Sequence, residues 1–121
     1  MTRYHTIPDH MRAGAQRYVE RGIRPGDFLS AVLSNDLMGA FQKADVINFN
    51  AMEYWARWLH DEAPAGCYGS PEKFKAWIKA RGLNGLREAE IDLERKSFAD
   101  ETAKDEDREI RDQIAVEDEL G

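Results

Sequence analysis

Apolar positions in the first 82 residues recur at helical rather than alternating spacing, and Pro and Gly cut that pattern into short pieces. The first piece predicts a helix over about 8–21, with Pro8 suited to its first turn and Gly22 behind Arg21 as its stop. Pro25 and Gly26 make a turn, Asp27 can cap the next helix, and Phe28 and Leu29 open that second helix, expected over about 28–44. A third, over about 45–62, carries Phe49, Tyr54, Trp55 and Trp58 and stops before Pro64. Ser70 followed by Pro71 is a strong start signal for a fourth helix over about 71–81, which buries Phe74 and Trp77. No segment alternates as a strand would. The expected fold class is therefore all-α: a compact bundle of about four short helices.

One stretch of the second helix breaks its own pattern. Phe28 to Phe41 reads FLSAVLSNDLMGAF, with Ser34, Asn35 and Asp36 set into an apolar run. On one continuous helix, at about 100° per residue, Asp36 falls among Leu29, Val32, Leu33 and Ala40 in the middle of the apolar face. Burying a lone carboxylate is costly. Either the helix breaks and one of these residues caps a new one, or Asp36 has a buried partner. On the third helix Ile47, Ala51, Met52, Trp55, Trp58 and Leu59 form the apolar stripe, and Asn48 lies inside it. An Asp36–Asn48 pair between neighbouring helices would satisfy both groups and fix their register. A structural role, cap or pair, outweighs a catalytic one because buried polar groups are normally just hydrogen-bonded.

Charge divides the chain more sharply than hydrophobicity does. Residues 1–82 carry 11 Lys/Arg against 9 Asp/Glu, whereas residues 83–121 carry 6 against 14, within a net charge of −6. This predicts a helical domain over 1–85 and an acidic, charged helical extension or tail over 86–121, where Ile110, Ile114, Val116 and Leu120 give only a thin apolar stripe. At 121 residues there is material for one modest core. The N-terminus lacks a signal-peptide core, no apolar run approaches the roughly 18 residues of a membrane span, and the lone Cys67 forms no internal disulfide. A cytoplasmic protein is expected.

Candidate chemistry is thin. His5, His10 and His60 have no metal-type spacing, and neither a metal nor a cofactor is expected. Cys67 stands near a helix start that could activate it, although no His is close in sequence and a buried loop thiol is the simpler reading. An enzyme built on Asp36, Cys67 or His60 is the third-ranked expectation. Tyr68, Ser70 and Lys73, around the start of the fourth helix, could receive an anion, but Glu72 in the first turn already supplies negative charge there. Arg17, Tyr18, Arg21 and Arg24 are the remaining candidates for contact with a ligand or partner. Arg17 and Arg21 share a helical face, while Asp9 and Glu20 lie nearby and the local balance of +2 is weak for DNA. A small DNA-binding regulator, using the second and third helices as a helix-turn-helix-like unit, is accordingly the second-ranked expectation.

Several of these pieces recur together elsewhere. Arg17, Tyr18 and Gly22; Pro25, Gly26, Phe28 and Leu29; Ser34 to Leu37; Ala44, Asp45 and Asn48; and Gly69 to Glu72 form a pattern over about residues 6–85. It resembles a group of small tailed-bacteriophage and prophage proteins that has no assigned activity. A phage origin implies a non-enzymatic accessory protein that binds and inhibits a host component, plausibly as an anti-defence factor in the host bacterial cytoplasm. Its partner would be a host protein, or a small nucleotide signal sequestered by a homo-oligomer. The acidic extension lies outside the resemblance.

Overall fold

The computed structural model describes residues 2–96 of the chain. Helices are the only regular secondary structure among them: α1 Asp9–Arg21, α2 Asp27–Leu33, α3 Leu37–Lys43, α4 Val46–Asn50, α5 Met52–Asp61, a 3-10 turn at Ala65–Cys67, and α6 Pro71–Lys79. A further helix occupies residues 82–96, and the chain divides into two units after Leu86. No helix among the described residues is long and apolar enough to cross a membrane. Of the acidic extension, residues 86–96 are helical and exposed, and 97–121 lie outside the described residues.

Two of the expected helices are each split in two. The segment expected over 28–44 breaks at Asn35, which takes the left-handed conformation (φ 64°) that Asn tolerates better than most residues. The Asp36 N–H then returns to the Ala31 carbonyl at 2.9 Å, and its side chain accepts a hydrogen bond from the Gly39 N–H at 3.0 Å. Asp36 is thus the N-cap of α3 and is exposed. Gly39 serves this cap directly, since a Cβ at that position would run into the Asp36 carboxylate. The segment expected over 45–62 turns at Ala51 between α4 and α5. Its start is capped by Asp45, whose Oδ1 accepts from the Asn48 N–H at 2.7 Å.

The expected Asp36–Asn48 pair does not form. Asn48 is buried as expected, but its Oδ1 accepts the Trp55 indole N–H at 3.1 Å. Seven residues separate the two, about 10 Å along a straight helix, and the turn at Ala51 brings them within reach. Asp36 meanwhile finds its donor in its own backbone, so neither group needs the other.

The core of the first unit is aromatic. Phe28 packs edge-on against Trp55, Trp55 against Trp58, and Tyr18 lies between Phe74 and Trp77. Ile7, Leu29, Leu33, Val19 and Ala40 fill the space around them. Each indole N–H is used: Trp58 donates to the Arg3 carbonyl at 2.7 Å, and Trp77 to the Tyr18 and Val19 carbonyls at 3.0 and 3.2 Å. The Tyr18 hydroxyl donates to the Cys67 carbonyl at 2.6 Å, and the Gly69 N–H to the Leu33 carbonyl at 3.0 Å. The loop before α6 is thereby tied to both α1 and α2.

Helix α1 ends where the chain passes close to itself. Gly22 and Gly82 are both left-handed (φ 68° each), and a Cβ on Gly82 would lie 2.6 Å from the Gly22 nitrogen. Gly82→Ala is expected to cost about 3 kcal/mol or more in unfolding free energy, from the left-handed backbone and the collision together. Gly26, by contrast, has no atom within 4 Å of a built Cβ, an ordinary φ of −67°, and no side chain capping α2. Gly26→Ser should gain about 0.5–1 kcal/mol, both variants being measured by denaturant titration.

Candidate protein-interaction surface

Among α1 to α6, α3 and α4 bury the fewest residues. In α3 only Ala40 is buried, and in α4 only Asn48. Their large apolar side chains point outward: Val46 is 76% exposed, Met38 69%, Leu37 63% and Ile47 59%, with Phe41, Phe49 and Tyr54 also exposed. Phe41 and Phe49 meet edge to face at 5.4 Å, so α3 and α4 touch through apolar side chains. The polar Asn48 lies inside and the apolar Val46, Ile47 and Phe49 lie outside, the reverse of the usual arrangement in a surface helix.

Beside this face, between α3 and α5, lies a recess of about 360 Å³. Trp55 and Ala40, both buried, contribute to it from below, and Val32, Leu37, Phe41, Met52, Ala56 and Leu59 line it. Its polar groups are Asn35, Asp36 and Glu53. Asp36 is engaged as the cap of α3, and Glu53 is held by Arg57 at 2.6 Å. The recess is thus apolar with a charged rim, a form suited to receiving apolar side chains.

The side chains singled out from sequence fall elsewhere and are not brought together. Tyr18 is fully buried and its hydroxyl is occupied by Cys67, so it is a core residue and not a ligand contact. Ser70 caps α6, its hydroxyl accepting from the Lys73 N–H at 3.1 Å. Tyr68 is half-buried and packs on the core, while the Lys73 stem lies alongside Gly69. The Arg24 guanidinium sits 5.4 Å over the Phe74 ring. Arg17 shares one surface cleft with Arg21, which also contains Glu20, and another with Arg24. Arg12 is tied to Asp9 at 2.7 Å and to the Ile7 and His5 carbonyls.

Catalytic arrangements are equally scattered. Burial pushes the Cys67 thiol up to about 12, which keeps it protonated at neutral pH, opposite to the activation that its place near a helix start suggests. His60 and its neighbour Asp61 are paired at 2.7 Å on the exposed surface. Among the described residues no three His, Cys, Asp or Glu side chains gather as metal ligands do. Comparison with protein-family models, with curated proteins and with solved structures gave no match to this chain.

Sequence reasoning placed Ile47 on the buried stripe and took Phe49 and Tyr54 as part of the aromatic centre; all three are exposed. A signal was present in VINFN. Three of its five residues are apolar and point in different directions around a helix, more than one face can bury.

The cap that presents α4 gives this surface a pH dependence. The Asp45 carboxyl is held below its ordinary range, first by the Asn48 N–H and then by His10, whose Nε2 lies 2.9 Å away. A carboxylate whose pKa is lower when folded contributes stability that is complete above the unfolded value of about 4 and is lost as pH falls through the folded one. The thermal midpoint should therefore decline on acidification below about pH 4. Asp45→Asn should make that decline shallower, and identical profiles for the two proteins would contradict this role.

Proposed function

We propose that the protein acts without catalysis, by stoichiometric binding of a protein partner across the apolar face of α3, α4 and α5. The observation that carries this reading is the outward placement of Leu37, Met38, Phe41, Val46, Ile47 and Phe49, of which Leu37 and Phe41 also line an apolar recess. Exposed apolar surface on this scale is stabilised by being covered, and a rim of charged groups around an apolar centre is the usual anatomy of a protein interface. The resemblance to tailed-phage proteins supports a host component as the target, with inhibition of a defence or metabolic protein in the bacterial cytoplasm as the consequence.

The DNA-binding alternative draws less support. The helix-turn-helix expected from sequence pairs the helix over 28–44 with the one over 45–62, which would put α4 or α5 in the groove. Helix α4 exposes mainly the apolar Val46, Ile47 and Phe49, and α5 exposes the carboxylates of Glu53 and Asp61, which the phosphates would repel. Sequestration of a nucleotide would rest on Arg17, Arg21 and Arg24, of which Arg17 shares one cleft with Arg21 and Glu20 and another with Arg24, so that no one cleft holds all three.

Affinity capture from a bacterial lysate tests the reading when the wild type is run beside Met38→Asp. One protein recovered in equal molar amount by the wild type, and reduced at least tenfold with Met38→Asp, is the expected result. Equal recovery by both proteins, or a nucleotide eluting with no protein, would sink it.

A further inference from the structure

We propose that the recess between α3 and α5 is a binding site for a small organic cation, an apolar aryl or alkyl body ending in an ammonium group that meets Asp36. At about 360 Å³ the recess falls within the roughly 300–1,000 Å³ of small-molecule sites. Its floor is fixed before any ligand arrives. Trp55 and Ala40 are each 1% exposed, the Trp55 ring packs edge-on against Phe28 and Trp58, and its indole N–H is held by Asn48. Little freedom is therefore lost in ordering the site when a ligand enters.

The walls select the body of the ligand, and the charges select its head. Leu37, Phe41, Met52 and Leu59 are apolar, and among the described residues the only ionisable side chains lining the recess are the carboxylates of Asp36 and Glu53. Glu53 is already neutralised by Arg57 at 2.6 Å. Asp36 is not. Its Oδ1 accepts the Gly39 N–H, and among the described residues no Lys, Arg or His pairs with it, although Lys43 borders a neighbouring cleft that Asp36 also lines. An ammonium beside Asp36 gains a charge-assisted hydrogen bond while its apolar body leaves water for the recess. A carboxylate head in the same place would meet two acidic side chains and no lining cation.

Isothermal titration calorimetry on the full chain tests this with three probes that share one body: phenylbutylamine, phenylbutanol and phenylbutanoate. The amine is expected to bind with a dissociation constant at or below about 1 mM, at least ~10-fold tighter than the alcohol, with the carboxylate weakest. Asp36→Asn keeps a side chain able to cap α3 and should bring the amine and the alcohol within about threefold of each other. Ala56 is an exposed residue that lines the recess, so Ala56→Phe should fill the space and weaken the amine at least ~10-fold, with the helical circular dichroism unchanged. No binding of the amine at millimolar concentration overturns the proposal, as does equal affinity of the wild type for the amine and the alcohol. A preference that survives Asp36→Asn, or amine binding that Ala56→Phe leaves intact, overturns it too. Met38 does not line the recess, so capture of a protein through Met38 succeeds or fails independently of these results.

Discussion

Three indole rings in so small a chain must each bury a donor, and where those N–H groups find acceptors decides how the helices can meet. Trp77 on α6 reaches back to the last carbonyls of α1, Trp58 on α5 holds the Arg3 carbonyl, and Trp55 takes the Asn48 side chain. An unpaired indole N–H in the interior would cost on the order of 1–3 kcal/mol, so these bonds select one packing among those that merely hide the rings. With Tyr18 bonded to Cys67 they join α1 with α6 and with the loop before it, and α5 with α4 and with the segment before α1, through side chains rather than a ladder. The core is therefore settled by residues outside α3.

That division of labour explains the unusual middle of the chain. Because α3 and α4 give the interior only Ala40 and Asn48, they can be short, capped at their starts by Asp36 and Asp45, and apolar on the outside. A side-chain cap supplies roughly 1 kcal/mol, enough to hold a helix that has little buried surface of its own. The polar residues that look chemically suggestive in the sequence, Asp36, Asn48, Ser70 and Cys67, are engaged in capping, core hydrogen bonding or burial. The apolar side chains of α3 and α4 stay exposed, and the use proposed for them is association.

Legibility in the sequence tracks the range of the interaction. The all-helical class, the cap at Ser70 and the stop at Gly22 are local chemistry, and the residues beside each one announce it; Asp27, expected as a cap, is instead the first residue of α2, behind Gly26. The choice between cap and buried pair at Asp36 is not local. It turns on whether Asn48 has a better acceptor role elsewhere, and that depends on the turn at Ala51 which brings Trp55 to it. The docking face was missed for a related reason. Hydrophobicity at Ile47, Phe49 and Tyr54 reads equally well as core or interface until the burial of Trp55, Trp58 and Phe28 shows the core is already filled.

The central claim is that the outer side chains of α3 and α4 serve association and contribute little to the fold. It is tested most directly by the unfolding free energy of a combined Met38→Gln, Val46→Thr, Ile47→Thr protein. That measurement belongs at a dilution where the chain is monomeric, so that assembly does not add to stability. A value within about 0.5 kcal/mol of the wild type is expected for exposed positions. A loss of about 2 kcal/mol or more would place these side chains in the core and contradict the account.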